Sequence, residues 1–224
     1  WILRESDDVI VLSEPFANHY RKINPSLSPI VIPCCVDTIR FDWDLEKRLA
    51  LRAKYMFTDK LVVLYVMGHY VPYQDFDTAL RVFIQISQGI PNAHFLILTP
   101  AHDLINECLI NSGIPHNSYS LFSVPYSEIP DFILISDVGI LVRVPSIISR
   151  VSSPVKFAEY LASGVPVLTQ PDIGDTGNTI SSEKIGRLMK DNNLVQEDFI
   201  WLNTLQDPSQ RNAIAKLCRD VAVK

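Results

Sequence analysis

The sequence predicts an α/β protein built on a doubly wound parallel sheet of about six strands. Three observations carry that expectation. Short, almost wholly apolar runs such as Leu61-Val62-Val63-Leu64-Tyr65-Val66 recur along the chain, as strands do when helices cover both faces of a parallel sheet. Between them lie segments with helical spacing, for example Phe76, Ala79, Leu80 and Phe83 at i, i+3, i+4 and i+7. The two kinds of segment alternate, and right-handed crossovers then favour a Rossmann-like winding.

The elements follow in order. Val9–Leu12 reads as a strand, and Ser13 as the N-cap of a helix with Pro15 in its first turn. Pro29–Pro33 is a short second strand, and residues 44–56 look helical. Leu61–Val66 ends at Gly68, and a helix starts near Asp75. Phe95–Thr99, a helix over 102–112 closed by Gly113, a strand over 118–124 and a short helix opening at 127–130 come next. Val138–Val142, a helix over 154–163, Val165–Leu168, a possible sixth strand at Gly186–Met189 and two further helices complete the pattern. The expected division is 1–42 as a strand-helix-strand fragment, 43–59 as a linker helix and 60–224 as the main domain.

Composition narrows the classes. The 224 residues suffice for one large domain, or one domain plus a fragment. With 47% hydrophobic and 20% charged residues the chain is globular rather than disordered. A net charge of -5 argues against a generally basic nucleic-acid binder. No window holds the roughly 20 apolar residues of a membrane span. The first residues do not read as a signal peptide, and they lack an initiator Met, so a longer protein is expected. Four cysteines without a C-x-x-C pair and five scattered histidines suggest no metal site. They suggest instead reduced, mostly buried thiols in a cytoplasmic protein.

In such a sheet ligands bind beyond the carboxyl ends of the strands, so the loops of interest are 67–75, 99–103, 124–128, 143–154 and 169–177. The segment 143–167 is the most informative. Ser153 suits an N-cap and Pro154 a first helical position. A helix N-terminus aimed out of the strand ends attracts anions. Lys156 in the first turn opposes the helix dipole, which makes sense if an anion binds between them. Arg143 and Arg150 flank the loop. Glu159 either forms an i, i+3 salt bridge with Lys156 on a solvated face or faces the pocket and accepts from sugar hydroxyls. Gly164 reads as the helix C-cap.

The stretch Ser152–Val167, S-S-P-V-K-F-A-E-Y-L-A-S-G-V-P-V, resembles the donor-site motif of group 1 (family four) glycosyltransferases of the GT-B fold. Ser6–Ser13, Ile30–Phe41, Leu64–Gly68 and Pro130–Ile140 resemble further segments of that family, in the same order. In Ile30–Phe41, Cys34-Cys35 replaces the family's Asn-Gly. The resemblance implies the C-terminal, donor-binding half of a retaining, metal-independent enzyme that takes a UDP- or GDP-sugar as substrate and needs no other cofactor. The acceptor domain would be mostly absent, and any peripheral membrane association would lie in that missing part.

The resemblance also assigns residues. Glu159 takes the place of the family's ribose-binding Glu. Val151 falls where the motif has its first Glu. His69 and Gln74 fall where the family has phosphate-gripping Arg and Lys. Lys156, with Arg150 or Arg143, would replace those cations, so Lys156 and Glu159 are the expected catalytic pair. Gly68, His69, Thr99, Val124, Tyr126, Arg150, Ser152 and Ser153 complete the expected donor site. His69 either hydrogen-bonds a phosphate or is merely solvated. Tyr126 either stacks on a base or covers the helix at 127. Gly174-Asp175-Thr176 either borders the donor sugar or is a plain turn. The rival expectation is a non-catalytic module whose site has decayed at Val151, His69 and Gln74.

Overall fold

Two short strands open the computed structural model, which describes residues 6, 8–68 and 74–224. Ile10–Val11 (β1) and Ile30–Val31 (β2) pair in parallel and are joined by helix Glu14–Ile23 (α1). Ser13 caps α1 as expected, its Oγ accepting from the Phe16 N–H at 3.2 Å. The same hydroxyl donates to the Val151 carbonyl at 2.8 Å and ties this unit to the rest of the chain. Helix Leu45–Lys54 (α2), capped by Asp44, follows.

The main sheet has six parallel strands: Leu61–Val66 (β3), Ala93–Leu98 (β4), Tyr119–Phe122 (β5), Val138–Leu141 (β6), Val167–Thr169 (β7) and Gly186–Leu188 (β8). Their order is β5-β4-β3-β6-β7-β8, so the winding reverses between β3 and β6 and opens a crevice at their carboxyl ends. The expected β7 began at Val165. The ladder begins at Val167 instead, because Pro166 has no N–H to donate.

Helices Phe76–Gly89 (α3), His102–Ser112 (α4), Ile129–Leu134 (α5), Ile147–Val151 (α6), Val155–Ala162 (α7), Thr176–Glu183 (α8), Gln196–Thr204 (α9) and Pro208–Ala222 (α10) connect the strands. Helices α6 and α8 are corrections to the sequence reading. Both are rich in Ser, Thr or β-branched residues, which are weak helix formers. In α8 hydroxyls bond back along the helix, Thr179 to the Asp175 carbonyl at 2.9 Å and Ser181 to that of Gly177 at 2.9 Å, while Ile180 is buried.

Alternate residues of β3 enter opposite cores. Leu61, Val63 and Tyr65 pack with α3, α4 and α9, whereas Val62, Leu64 and Val66 pack with α5, α7 and α10. The approach of α7 to the sheet depends on Gly139. A Cβ there would lie 2.6 Å from the ring of Tyr160, which is fully buried and accepts the Val66 N–H at 3.2 Å. Gly164 closes α7 with φ +68°, the left-handed geometry that glycine adopts freely.

A buried carboxylate sits at the amino end of β6. Asp137 accepts from Arg48, from Arg52 at 3.0 Å and from the Val62 N–H at 2.7 Å. Arg211 Nε lies 3.7 Å from it. The three arginines also satisfy carbonyls at the end of α5, which a helix terminus leaves without partners. Arg48 reaches Leu134 and Ser136, Arg52 reaches Ile135, and Arg211 reaches Ser136. Desolvation still lowers Arg48 to about 9, against the pull of Asp137. Removing one partner of such a cluster strands the remaining charges in a dry site. Asp137→Ala should therefore lower unfolding free energy by about 3–5 kcal/mol in urea titration, and a loss below ~1 kcal/mol would contradict this role.

Candidate functional site

A cleft of about 230 Å³ lies at the carboxyl ends of β3, β4 and β5, beside the point where the winding reverses. Val66, Met67 and Gly68 form its floor, and Leu98, Thr99 and Pro100 one side. Val124, Tyr126 and Ile129 form the other side, and the first turns of α7 bring Val155, Lys156 and Glu159 to the rim. Six of the expected site residues therefore meet: Gly68, Thr99, Val124, Tyr126, Lys156 and Glu159. His69 lies outside the described residues.

The other expected residues are placed elsewhere. Ser153 is not the cap of α7. Pro154 is, and no side chain caps that end. The Ser153 hydroxyl instead accepts the Cys34 N–H at 3.0 Å, and Ser152 Oγ donates to the Ser149 carbonyl at 2.8 Å. Arg150 is exposed and lines a separate cavity of about 210 Å³ with Arg143, Gln170 and Asn192. Val151 carries an apolar side chain at the end of α6, and its carbonyl is held by Ser13. The cysteines are free, but only Cys218 is fully buried, contrary to the mostly buried set expected.

Glu159 is buried, 5% exposed, and faces the cleft rather than a solvated surface. No ion pair joins it to Lys156 among the described residues, so of the two alternatives for Glu159 the surface salt bridge is not formed. Its Oε1 accepts the Tyr126 hydroxyl at 3.0 Å. Burial raises its pKa, opposed by the Tyr126 hydrogen bond and by Lys156 and Arg40. Tyr126 thus does more than cover the helix at 127: it lines the cleft and donates to Glu159. Burial, with Glu159 beside it, pushes its phenol up.

Lys156 is half-buried and has no hydrogen bond or ion pair among the described residues. Desolvation lowers its pKa, and Arg143 adds to that while Glu159 opposes it. A narrow gap beside it is lined by Gln74 and Arg143. Gln74 Oε1 is buried there without a partner among the described residues. The first N–H groups of α7 and the Lys156 ammonium thus place positive character at one end of the cleft, with Arg143 lining the gap beside it. Thr99 contributes shape rather than a free group. Its hydroxyl donates to the Gly68 carbonyl at 3.4 Å and accepts the Ala101 N–H at 3.0 Å.

Sequence reasoning did not single out Arg40. Its guanidinium lies 4.3 Å from the centroid of the Tyr126 ring. No local signal in the segment Ile30–Phe41 marked it. The cavity of about 350 Å³ at the other end of the sheet is lined by Trp43, Arg48, Arg52 and Arg211. Their guanidinium groups already serve Asp137 and the carbonyls of α5. Among the described residues no group of three His, Cys, Asp or Glu could hold a metal ion, and no helix is long and apolar enough to cross a membrane.

The fold is similar to the Rossmann-like half of solved GT-B glycosyltransferases. WaaG, a glycosyltransferase involved in lipopolysaccharide biosynthesis, aligns with TM-score 0.71 and 14% identity over 96% of this chain and 58% of its own. Anabaena HepE in complex with UDP-glucose gives 0.74 and 16%, over 99% of this chain and 60% of its own. A glycosyltransferase from Rickettsia africae gives 0.72 and 17%, over 96% and 58%. The chain thus spans about 60% of the length of these structures. No protein-family model matches the sequence, and no curated protein matches it.

Both pKa shifts cost stability while the group is charged, and the two costs fade in opposite directions of pH. Lys156, lowered below its ordinary 10.5, binds protons less well folded than unfolded. Its charged form therefore costs stability at neutral pH, and that cost fades as pH rises through the folded value towards 10.5. Lys156→Met should be more stable than the native chain at pH 7 in denaturant titration, with the gain shrinking up to pH 10.5. Glu159, raised above 4.5, costs stability once ionised, so the advantage of Glu159→Gln should vanish as pH falls to 4.5. Advantages that do not vary with pH would contradict these assignments.

Proposed function

We propose that this chain is the donor-binding half of a glycosyltransferase and holds a nucleoside-diphosphate sugar, of the UDP- or GDP- type, in the cleft at the ends of β3, β4 and β5. The observation that carries this reading is the pairing of a cationic helix terminus with a buried carboxylate in one cleft. The α7 N–H groups and Lys156 suit a diphosphate. Glu159, one turn further along, suits the ribose hydroxyls, because an ionised carboxylate is a strong acceptor for paired hydroxyl donors. The apolar walls at Val66, Leu98 and Val124 suit a base.

On this reading Lys156 and the helix terminus stabilise charge on the departing diphosphate, and Glu159 orients the donor. Transfer would proceed with retention. The acceptor would bind a further N-terminal domain, of which β1, α1 and β2 are the last part, so the chain by itself would bind donor and transfer little sugar. Any membrane association would belong to that domain. Val151, apolar at the position of the first motif Glu, favours a second reading, a non-catalytic module with a decayed site.

Thermal unfolding with UDP, GDP, ADP and CMP separates the two. A ligand at 100 times its Kd adds about 2.7 kcal/mol, roughly 5–10 °C for a chain of this size. One nucleoside diphosphate should raise Tm by that amount. Lys156→Ala should abolish the shift, and Glu159→Gln should weaken binding about 10- to 100-fold, the value of a charged hydrogen bond. No shift with any nucleotide, or one indifferent to Lys156, would favour the decayed site.

A further inference from the structure

We infer that Arg40 is a positioning residue for this cleft: it holds Tyr126 so that the tyrosine hydroxyl fixes the carboxylate of Glu159 for the ribose of a bound nucleotide. The inference rests on the donor-site reading above and adds a residue from outside the six-stranded sheet.

Arg40 stands on a turn in the segment joining β2 to α2, and that turn is firmly built. Asp37 Oδ1 accepts the N–H groups of Ile39 at 3.0 Å and Arg40 at 3.1 Å, and the Asp37 carbonyl accepts the Phe41 N–H at 2.9 Å. Arg219 of α10 clamps the other side. It donates to the carbonyls of Thr38 and Phe41, both at 2.6 Å, and pairs with Asp42 at 3.0 Å. Phe41 is fully buried, with its ring centroid 6.0 Å from that of Tyr126.

The backbone of Arg40 is thus held while its side chain is exposed. It places its guanidinium 4.3 Å from the Tyr126 centroid, within the range of a cation–π contact. Tyr126 itself is 52% exposed on the loop between β5 and α5. Phe41 meets its ring at an angle, and Arg40 lies over the face. Between them they select one orientation of an otherwise solvated side chain. In that orientation the hydroxyl reaches Glu159 Oε1 at 3.0 Å.

The consequence concerns the second carboxylate oxygen. No other side chain or backbone group is hydrogen-bonded to the Glu159 carboxylate among the described residues, so Oε2 is left to a ligand hydroxyl. A carboxylate already fixed through one oxygen loses less freedom when it binds through the other. The turn at 37–41 thereby connects the N-terminal unit to the ribose end of the cleft.

Titration calorimetry tests this, using UDP or GDP, whichever stabilises the native chain, and the corresponding 2′,3′-dideoxy nucleotide. Arg40→Ala should weaken diphosphate binding about two- to fivefold, the value of an exposed cation–π contact, without lowering Tm. Arg40→Lys, which keeps a cation over the ring, should restore most of it. In a Tyr126→Phe background Arg40→Ala should change nothing, because the link to Glu159 is already cut. With the dideoxy nucleotide Arg40→Ala should also have no effect. Unchanged affinity in Arg40→Ala, or an equal loss for both nucleotides, would overturn the inference and leave the donor site standing. Failure of the native chain to bind any nucleotide would overturn the donor site and this inference with it.

Discussion

The structure depends on one buried carboxylate. Asp137 sits at the amino end of β6 and accepts from the backbone of β3 and from arginines of α2, with Arg211 of α10 beside it. The two strands it joins are those between which the sheet reverses its winding, and the opposite end of β3 forms the floor of the cleft. One negative charge does not balance three guanidinium groups. The remainder is offset by carbonyls at the end of α5, where a helix dipole favours cations. The same cluster thus fixes α2, α10 and the central pair of strands.

At the cleft end, polar ties join the N-terminal unit to the segment between β6 and α8. Ser13 donates to Val151, the Glu14 N–H donates to Asp175 at 2.8 Å, and the Cys34 N–H donates to Ser153. A Cβ on Gly174 would lie 1.8 Å from the Ser152 carbonyl, so this junction is closely packed. Ser152 and Ser153 had looked like ligand contacts because they precede a helix N-terminus. Their hydroxyls are instead engaged in holding the junction together. Of the polar side chains in that segment, Lys156 and Glu159 face the cleft, beside Val155.

Strands and caps were legible because their signals are local. Apolar runs gave five of the six strands to within a few residues and the sixth as a possibility, and Ser13, Gly113 and Gly164 marked helix ends through hydroxyl capping or left-handed backbone. Helix α8 was not legible, since Thr-Gly-Asn-Thr is poor in helix formers and the burial of Ile180 that holds it is a tertiary contact no local spacing shows. The Asp137 cluster joins residues 74 or more positions apart, from Arg211 in one direction and Arg48 in the other, so spacing could not reveal it. Arg40 was missed for the same reason. It meets Tyr126 only through the fold, and Tyr126 meets Glu159 only across the loop between β5 and α5. Glu159 itself was legible as a candidate, but its orientation was not, because an i, i+3 pair with Lys156 fits the same spacing.

The central claim is that a nucleoside diphosphate occupies the cleft beside the point where the winding reverses. Amide hydrogen exchange with and without UDP and GDP tests it most directly. The account predicts slower exchange confined to 66–68, 98–101, 124–126 and the first turns of α7 at 155–159. Unchanged exchange at all of these, or protection confined to the arginine-lined cavity around Trp43, would contradict it.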